Sequence, residues 1–131
     1  MRGRFAASPY ALYVWWTMPE RLTAFWAGEA ETDPRPGGDY RLHWPQMPAT
    51  LRGTYRECRP GRRLSFTWRW DHEPDGPERV VDMEFAPDGD GAVLTITHGP
   101  YGDGADEESE RAGHAEGWAH FCGALAEALP G

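Results

Sequence analysis

Between Gly37 and His98 the chain alternates large apolar with polar side chains in five successive runs. Tyr40, Leu42 and Trp44 alternate with Arg41 and His43, and Leu51, Gly53 and Tyr55 with Arg52, Thr54 and Arg56. Leu64, Phe66, Trp68 and Trp70 alternate with Ser65, Thr67 and Arg69. Val81, Met83 and Phe85 then alternate with Asp82 and Glu84, and Leu94, Ile96 and His98 with Thr95 and Thr97. The joints are rich in proline and glycine: Pro45 to Pro48, Pro60-Gly61, and Pro87 to Gly91, with a polar loop from Asp71 to Glu78. A period of two broken by turn residues predicts antiparallel strands with one wet and one buried face.

Ahead of these runs, Arg2 to Ala7 leaves room for a short first strand. Ser8-Pro9 is a helix start, with Ser8 as cap and Pro9 as the first helical residue. The segment YALYVWWT that follows predicts a short helix buried on most sides. Thr17 to Pro19 repeats the start signal and opens a second short helix, Glu20 to Trp26, because Pro19 lacks the N–H that one continuous helix would use. Gly28 to Pro36 reads as a polar loop.

The last segment, Asp103 to Leu129, has no proline. Its opening acids Asp106, Glu107 and Glu108 suit the positive end of a helix dipole. His114, Trp118, Phe121, Cys122, Leu125 and Leu129 fall on one stripe at helical spacing. Pro130 and Gly131 are expected to stop the helix. A sheet with one dry face must bury it against another layer, and this helix is the one element long enough. The pattern therefore predicts a single α+β domain over residues 1–131, with an antiparallel sheet closed by a long C-terminal helix.

Composition sharpens this picture. With 40% hydrophobic and 13% aromatic residues the chain is globular in type, and seven tryptophans either fill a core or line a cavity. A formal charge of −8 argues against nucleic acid, whose phosphates need a basic face, and against anionic membranes. All 13 basic residues are arginine. Cys58 and Cys122 have neither zinc nor disulfide-framework spacing, so Cys122, on the helix stripe, is expected to be a buried thiol. The sequence carries no signal peptide and no run of about 18 apolar residues, which leads to the expectation of a cytoplasmic protein.

The segments ASPYALYVWWTMPERLTAFW, RPGGDYRLHW, GTYRECRPGRRLSFTWRW, LTITHGP and GHAEGWAHFCGALAEAL together resemble the activator-of-Hsp90-ATPase-homologue family of the START-like (SRPBCC) superfamily. The resemblance runs from about Ala6 to Leu129, and Gly117-Trp118 is its most specific element. It implies the helix-grip fold, a strongly curved antiparallel sheet wrapped around the C-terminal helix, with two short helices after the first strand. The family's first strand is usually longer; here either it is short or residues are missing upstream of Met1. What the resemblance carries over is a pocket for a hydrophobic small molecule; it carries over no catalytic residue.

Parity then selects candidate site residues. His98 shares the inward parity of Leu94 and Ile96, and His114 shares the stripe of Trp118, so the two histidines are expected to meet near one mouth of a cavity. Tyr40, Tyr55, Phe66, Trp68, Trp70, Met83 and Ile96 lie on the same dry face and complete the predicted ligand wall. Gly117, inside a helix, suggests close approach of a neighbour or a ligand. His43 and His72 read as surface, and His120 falls off the stripe. The nearest acids to the histidines, Asp82 and Glu84, point outward, so no metal site and no cofactor are expected, and none of the usual hydrolase, metalloprotease or phosphate-loop motifs occurs.

Three functions follow as expectations. The first is binding of a hydrophobic, aromatic small molecule for sequestration, transport or sensing. The second is a cyclase, aromatase or hydrolase reaction in the same pocket, with His98 or His114, ordinarily titrating near 6.5, exchanging protons. The third, implied only by the family's name, is an Hsp90 co-chaperone role. A homodimer is a further possible assembly.

Overall fold

The computed structural model describes residues 1–129, so the stop assigned to Pro130 and Gly131 lies outside the described residues. Seven strands and three helices follow one another as β1 (Arg2–Phe5), α1 (Pro9–Thr17), α2 (Pro19–Phe25), β2 (Glu29–Thr32), β3 (Asp39–Trp44), β4 (Ala49–Arg59), β5 (Arg63–Trp70), β6 (Arg79–Asp88), β7 (Gly91–Gly99) and α3 (Ala105–Ala128). The strands form one curved antiparallel sheet in the order β1-β7-β6-β5-β4-β3-β2. All five alternating runs are strands, and the short first strand and the two small helices are present.

Local chemistry accounts for the helix starts, with one correction. Ser8 Oγ accepts from the Ala11 N–H at 3.1 Å and Pro9 occupies the first turn of α1. At α2 the cap is Met18, without a side-chain bond. Thr17 does not open that helix; its hydroxyl donates back to the Tyr13 carbonyl at 3.0 Å and so belongs to the end of α1. Pro19, lacking an N–H, is what separates the two helices.

A second correction concerns Gly28 to Pro36. This stretch is not all loop, because Glu29–Thr32 pairs with β3 as an edge strand. Its residues, EAET, carry no large apolar side chain. An edge strand of this kind is held by its ladder to a single neighbour and shows no hydrophobic alternation.

The dry face of the sheet, α1, α2 and the C-terminal half of α3 enclose one continuous core that includes Leu12, Trp16, Leu42, Leu64, Met83, Leu94 and Leu125. Of α3, only Trp118, Cys122 and Leu125 are buried. Its N-terminal half is exposed apart from Glu107, Glu110 and His114, which are half-buried. A glycine opens the sheet at one place. Gly53 of β4 stands directly opposite Tyr40 of β3, and a Cβ there would lie 2.1 Å from the Thr67 carbonyl oxygen and 2.5 Å from the Tyr40 ring. The tyrosine ring lies over the glycine, and its hydroxyl donates to that carbonyl across the β4–β5 ladder. Thr67 Oγ1 in turn accepts from the Thr54 N–H at 2.9 Å.

Candidate functional site

His98 ends the inward row of β7 and His114 lies one helical turn before Trp118 on α3. Their rings stack, 4.1 Å between centroids and 11° between planes. Trp118 Nε1 donates to His98 Nδ1 at 3.0 Å, which puts the proton of a neutral His98 on Nε2. That Nε2 is buried without a partner. The Tyr101 hydroxyl lies 2.6 Å from His114 Nδ1, and the Trp68 ring stands edge-on to both imidazoles.

Electrostatics keep this pair uncharged. Burial, with smaller contributions from His114 and Arg79, pushes the His98 pKa down to about 3. Burial also lowers His114, partly opposed by the Glu110 carboxylate 3.8 Å from its Nε2. The expectation that these histidines titrate near neutrality is therefore corrected: desolvation lowers both, reinforced at His98 by the neighbouring charges and at His114 outweighing the Glu110 carboxylate.

Behind the histidines is a charge cluster absent from the sequence-based expectation. Arg79 is only 1% exposed. Its guanidinium donates to Glu110 (2.8 and 3.1 Å), to Glu107 (2.6 Å) and to the Pro100 carbonyl, and it covers the Tyr101 ring at 4.4 Å. Glu107 also accepts from the Gly102 N–H at 2.9 Å. The cluster ties the N-terminal half of α3 to β6 and to the loop before the helix. The view that no carboxylate faces inward near the histidines is overturned by Glu110. Two signals for it were in the sequence: Arg79 continues the inward parity of Val81, Met83 and Phe85, and Glu110 and Glu107 continue the His114 stripe one and two turns back.

Beside the pair lies a cavity of about 180 Å³. Trp26 at the end of α2, Trp44 of β3, and Trp68 and Trp70 of β5 form one side. His114, Trp118 and Phe121 of α3 form the other, with Met47 of the β3–β4 turn at the rim. Gly113 and Gly117 complete the helix side, and a Cβ built on either meets nothing within 4 Å. No protein group approaches Gly117; what lies over it is open space.

Of the predicted ligand wall, Trp68, Trp70, His114 and Trp118 line this cavity. Tyr40, Tyr55 and Phe66 border a separate void of about 10 Å³, room for about one water. Met83 and Ile96 are packed in the core, and His98 stands behind His114. Sequence reasoning missed Trp26, Met47 and Gly113, and left Trp44 and Phe121 as packing residues. Among the described residues no three His, Cys, Asp or Glu side chains converge to hold a metal ion, and no helix is long and apolar enough to cross a membrane.

Residues 6–130 match the family described as activator of Hsp90 ATPase homolog 1-like protein. No curated protein matches the sequence. Solved structures share the fold. A Mesorhizobium loti protein superposes with a TM-score of 0.84 at 20% identity, over 98% of this chain and 95% of that one. Aha1 of Colwellia psychrerythraea, solved in solution as a dimer, gives 0.83 at 16% identity over 98% and 92%. DynU16, a putative protein of the dynemicin biosynthetic locus, gives 0.83 at 21% over 97% of this chain and 45% of its own.

Proposed function

The chain belongs to the activator-of-Hsp90-ATPase-homologue family, and from that premise we propose that it binds a hydrophobic, ring-containing small molecule between the sheet tryptophans and α3, for sequestration, transport or sensing. The observation that carries this reading is the apolar hollow of about 180 Å³ beside Gly113 and Gly117. An apolar cavity of roughly 150 Å³ holds benzene, so a one-ring guest fits inside and a larger one projects past Met47. Binding would be driven by apolar burial, at roughly 25 cal/mol per Å².

Thermal shift and tryptophan fluorescence with a panel of one- and two-ring aromatic compounds test the reading. A saturable shift in the wild type that is lost in Gly117→Leu is the expected outcome. A panel without any response in the wild type would remove the proposal.

A cyclase, aromatase or hydrolase reaction in this pocket would have to run with both histidines neutral. His98, at about 3, is a poor base, and no cationic acid stands beside it at neutral pH. Turnover surviving in His98→Ala and His114→Ala would eliminate that reading. The dimer of the Colwellia relative is ground for expecting self-association here too, which light scattering on the purified protein reads directly. An Hsp90 co-chaperone role stays an expectation from the family's name, and a pull-down with the chaperone tests it.

A further inference from the structure

The cavity is walled by five of the chain's seven tryptophans together with Phe121. These rings are turned steeply on one another. Trp26 and Trp44 meet at 69°, Trp44 and Trp70 at 50°, Trp68 and Trp70 at 89°, and Trp68 and Trp118 at 53°. Sandwiching a flat neutral ring takes two parallel faces, each at a contact distance of about 3.5 Å, so roughly 7 Å apart. The near-parallel pair Trp26 and Trp68 (27°) has centroids only 6.2 Å apart. Indole rings set at several angles around one hollow instead offer it π surface from more than one side, the kind of lining that attracts a cation.

Charge agrees with ring geometry. The lining contains neither arginine nor carboxylate, and the chain carries −8 overall. Its one titratable wall residue, His114, is held neutral by burial, and at its ring the attraction of Glu110 for positive charge exceeds the repulsion from Arg79, with Glu73 adding to Glu110. The walls thus present no positive charge, and hardly any group to accept a hydrogen bond. A primary ammonium would lose its water there without replacement. A quaternary trimethylammonium has no N–H to satisfy and offers methyl groups to the indoles.

We propose that the pocket, taken as the ligand site argued above, selects small organic cations bearing a quaternary trimethylammonium head, seated among Trp26, Trp44, Trp68, Trp70 and Trp118, with the remainder of the molecule leaving past Met47. The test compares benzyltrimethylammonium with its uncharged carbon isostere neopentylbenzene and with benzylammonium, by fluorescence titration and thermal shift. The trimethyl cation is expected to bind at least about tenfold more tightly than either. The preference over neopentylbenzene should fall below about threefold in Trp70→Leu and persist in Trp70→Phe, each variant being checked for a cooperative thermal transition. Neopentylbenzene binding as well as the cation overturns the charge selection while leaving the hydrophobic pocket standing. Failure of all three probes, together with failure of the neutral aromatic panel, overturns both.

Discussion

Replacing Gly117 by alanine should make the protein more stable. A glycine inside a helix costs roughly 0.5–1 kcal/mol relative to alanine. At Gly117 nothing offsets the gain, because an added Cβ meets no atom within 4 Å. For a domain of this size, about 1 kcal/mol raises Tm by roughly 3–5 °C. Gly117→Leu keeps most of that gain and adds its side chain to the hollow that Gly117 lines together with Trp68, Trp70 and Trp118, so its Tm should also rise. The same side chain takes the space a ligand would use, and affinity should fall at least about tenfold. Scanning calorimetry of the three proteins, with and without a binding aromatic compound, separates the two effects. A lower Tm for a folded Gly117→Ala would mean that the helix lies against another part of the protein and that the hollow is not there. A more stable Gly117→Leu that binds unchanged would place the ligand elsewhere.

Gly53→Ala should do the opposite and cost roughly 2–4 kcal/mol in urea unfolding, since its Cβ would overlap the Thr67 carbonyl and the Tyr40 ring. Arg79→Gln should cost roughly 2–3 kcal/mol by the same assay, because it leaves Glu107 and Glu110 facing each other and the Pro100 carbonyl without its donor. Stability should also fall with pH. His98, faced by His114, Arg79, Trp68 and Trp118, and His114, faced by Glu110, Glu73, Arg79 and Tyr101, both have lowered pKa values in the fold. The unfolded chain therefore takes up protons first, and their stabilisation, complete above about 6.5, is lost at up to about 1.4 kcal/mol per pH unit per histidine as pH falls. Below about 4.5, Glu107, held below the usual carboxylate range by the Gly102 N–H and then by Arg79, and Glu110, held there by Arg79, steepen the loss. A flat unfolding free energy between pH 7 and 5 would refute the neutral histidine pair.

The strands were legible because their alternation is a direct record of a half-buried sheet: Leu64, Phe66 and Trp68 are buried in register with Val81 and Met83 across the β5–β6 ladder. The meeting of His98 and His114 was legible for the same reason, one by strand parity and the other by helical spacing. What parity does not encode is how completely the dry face is filled. Tyr40, Tyr55 and Phe66 have the same parity as Trp68, yet α1 and α2 pack over them while α3 leaves Trp68 and Trp70 beside open space. Pattern alone was equally blind to β2, whose ladder involves no apolar stripe. Arg79 was hidden differently: a charged residue at the start of a strand ordinarily reads as loop, and only its two carboxylate partners on α3 make its burial tolerable.

Tyr40 and Gly53 have a consequence for how the hairpin zips up. Within β4, Gly53 is the one position without a side chain, and the tyrosine ring can lie across the strand only there. Sliding β3 by one residue against β4 would bring Tyr40 over Arg52 or Thr54, turn its hydroxyl away from the Thr67 carbonyl and send the rest of β3 to the wrong side of the sheet. The pair therefore works as a notch and pawl that fits a single alignment of β3 on β4, with β5 holding the tip of the pawl through the Thr67 carbonyl.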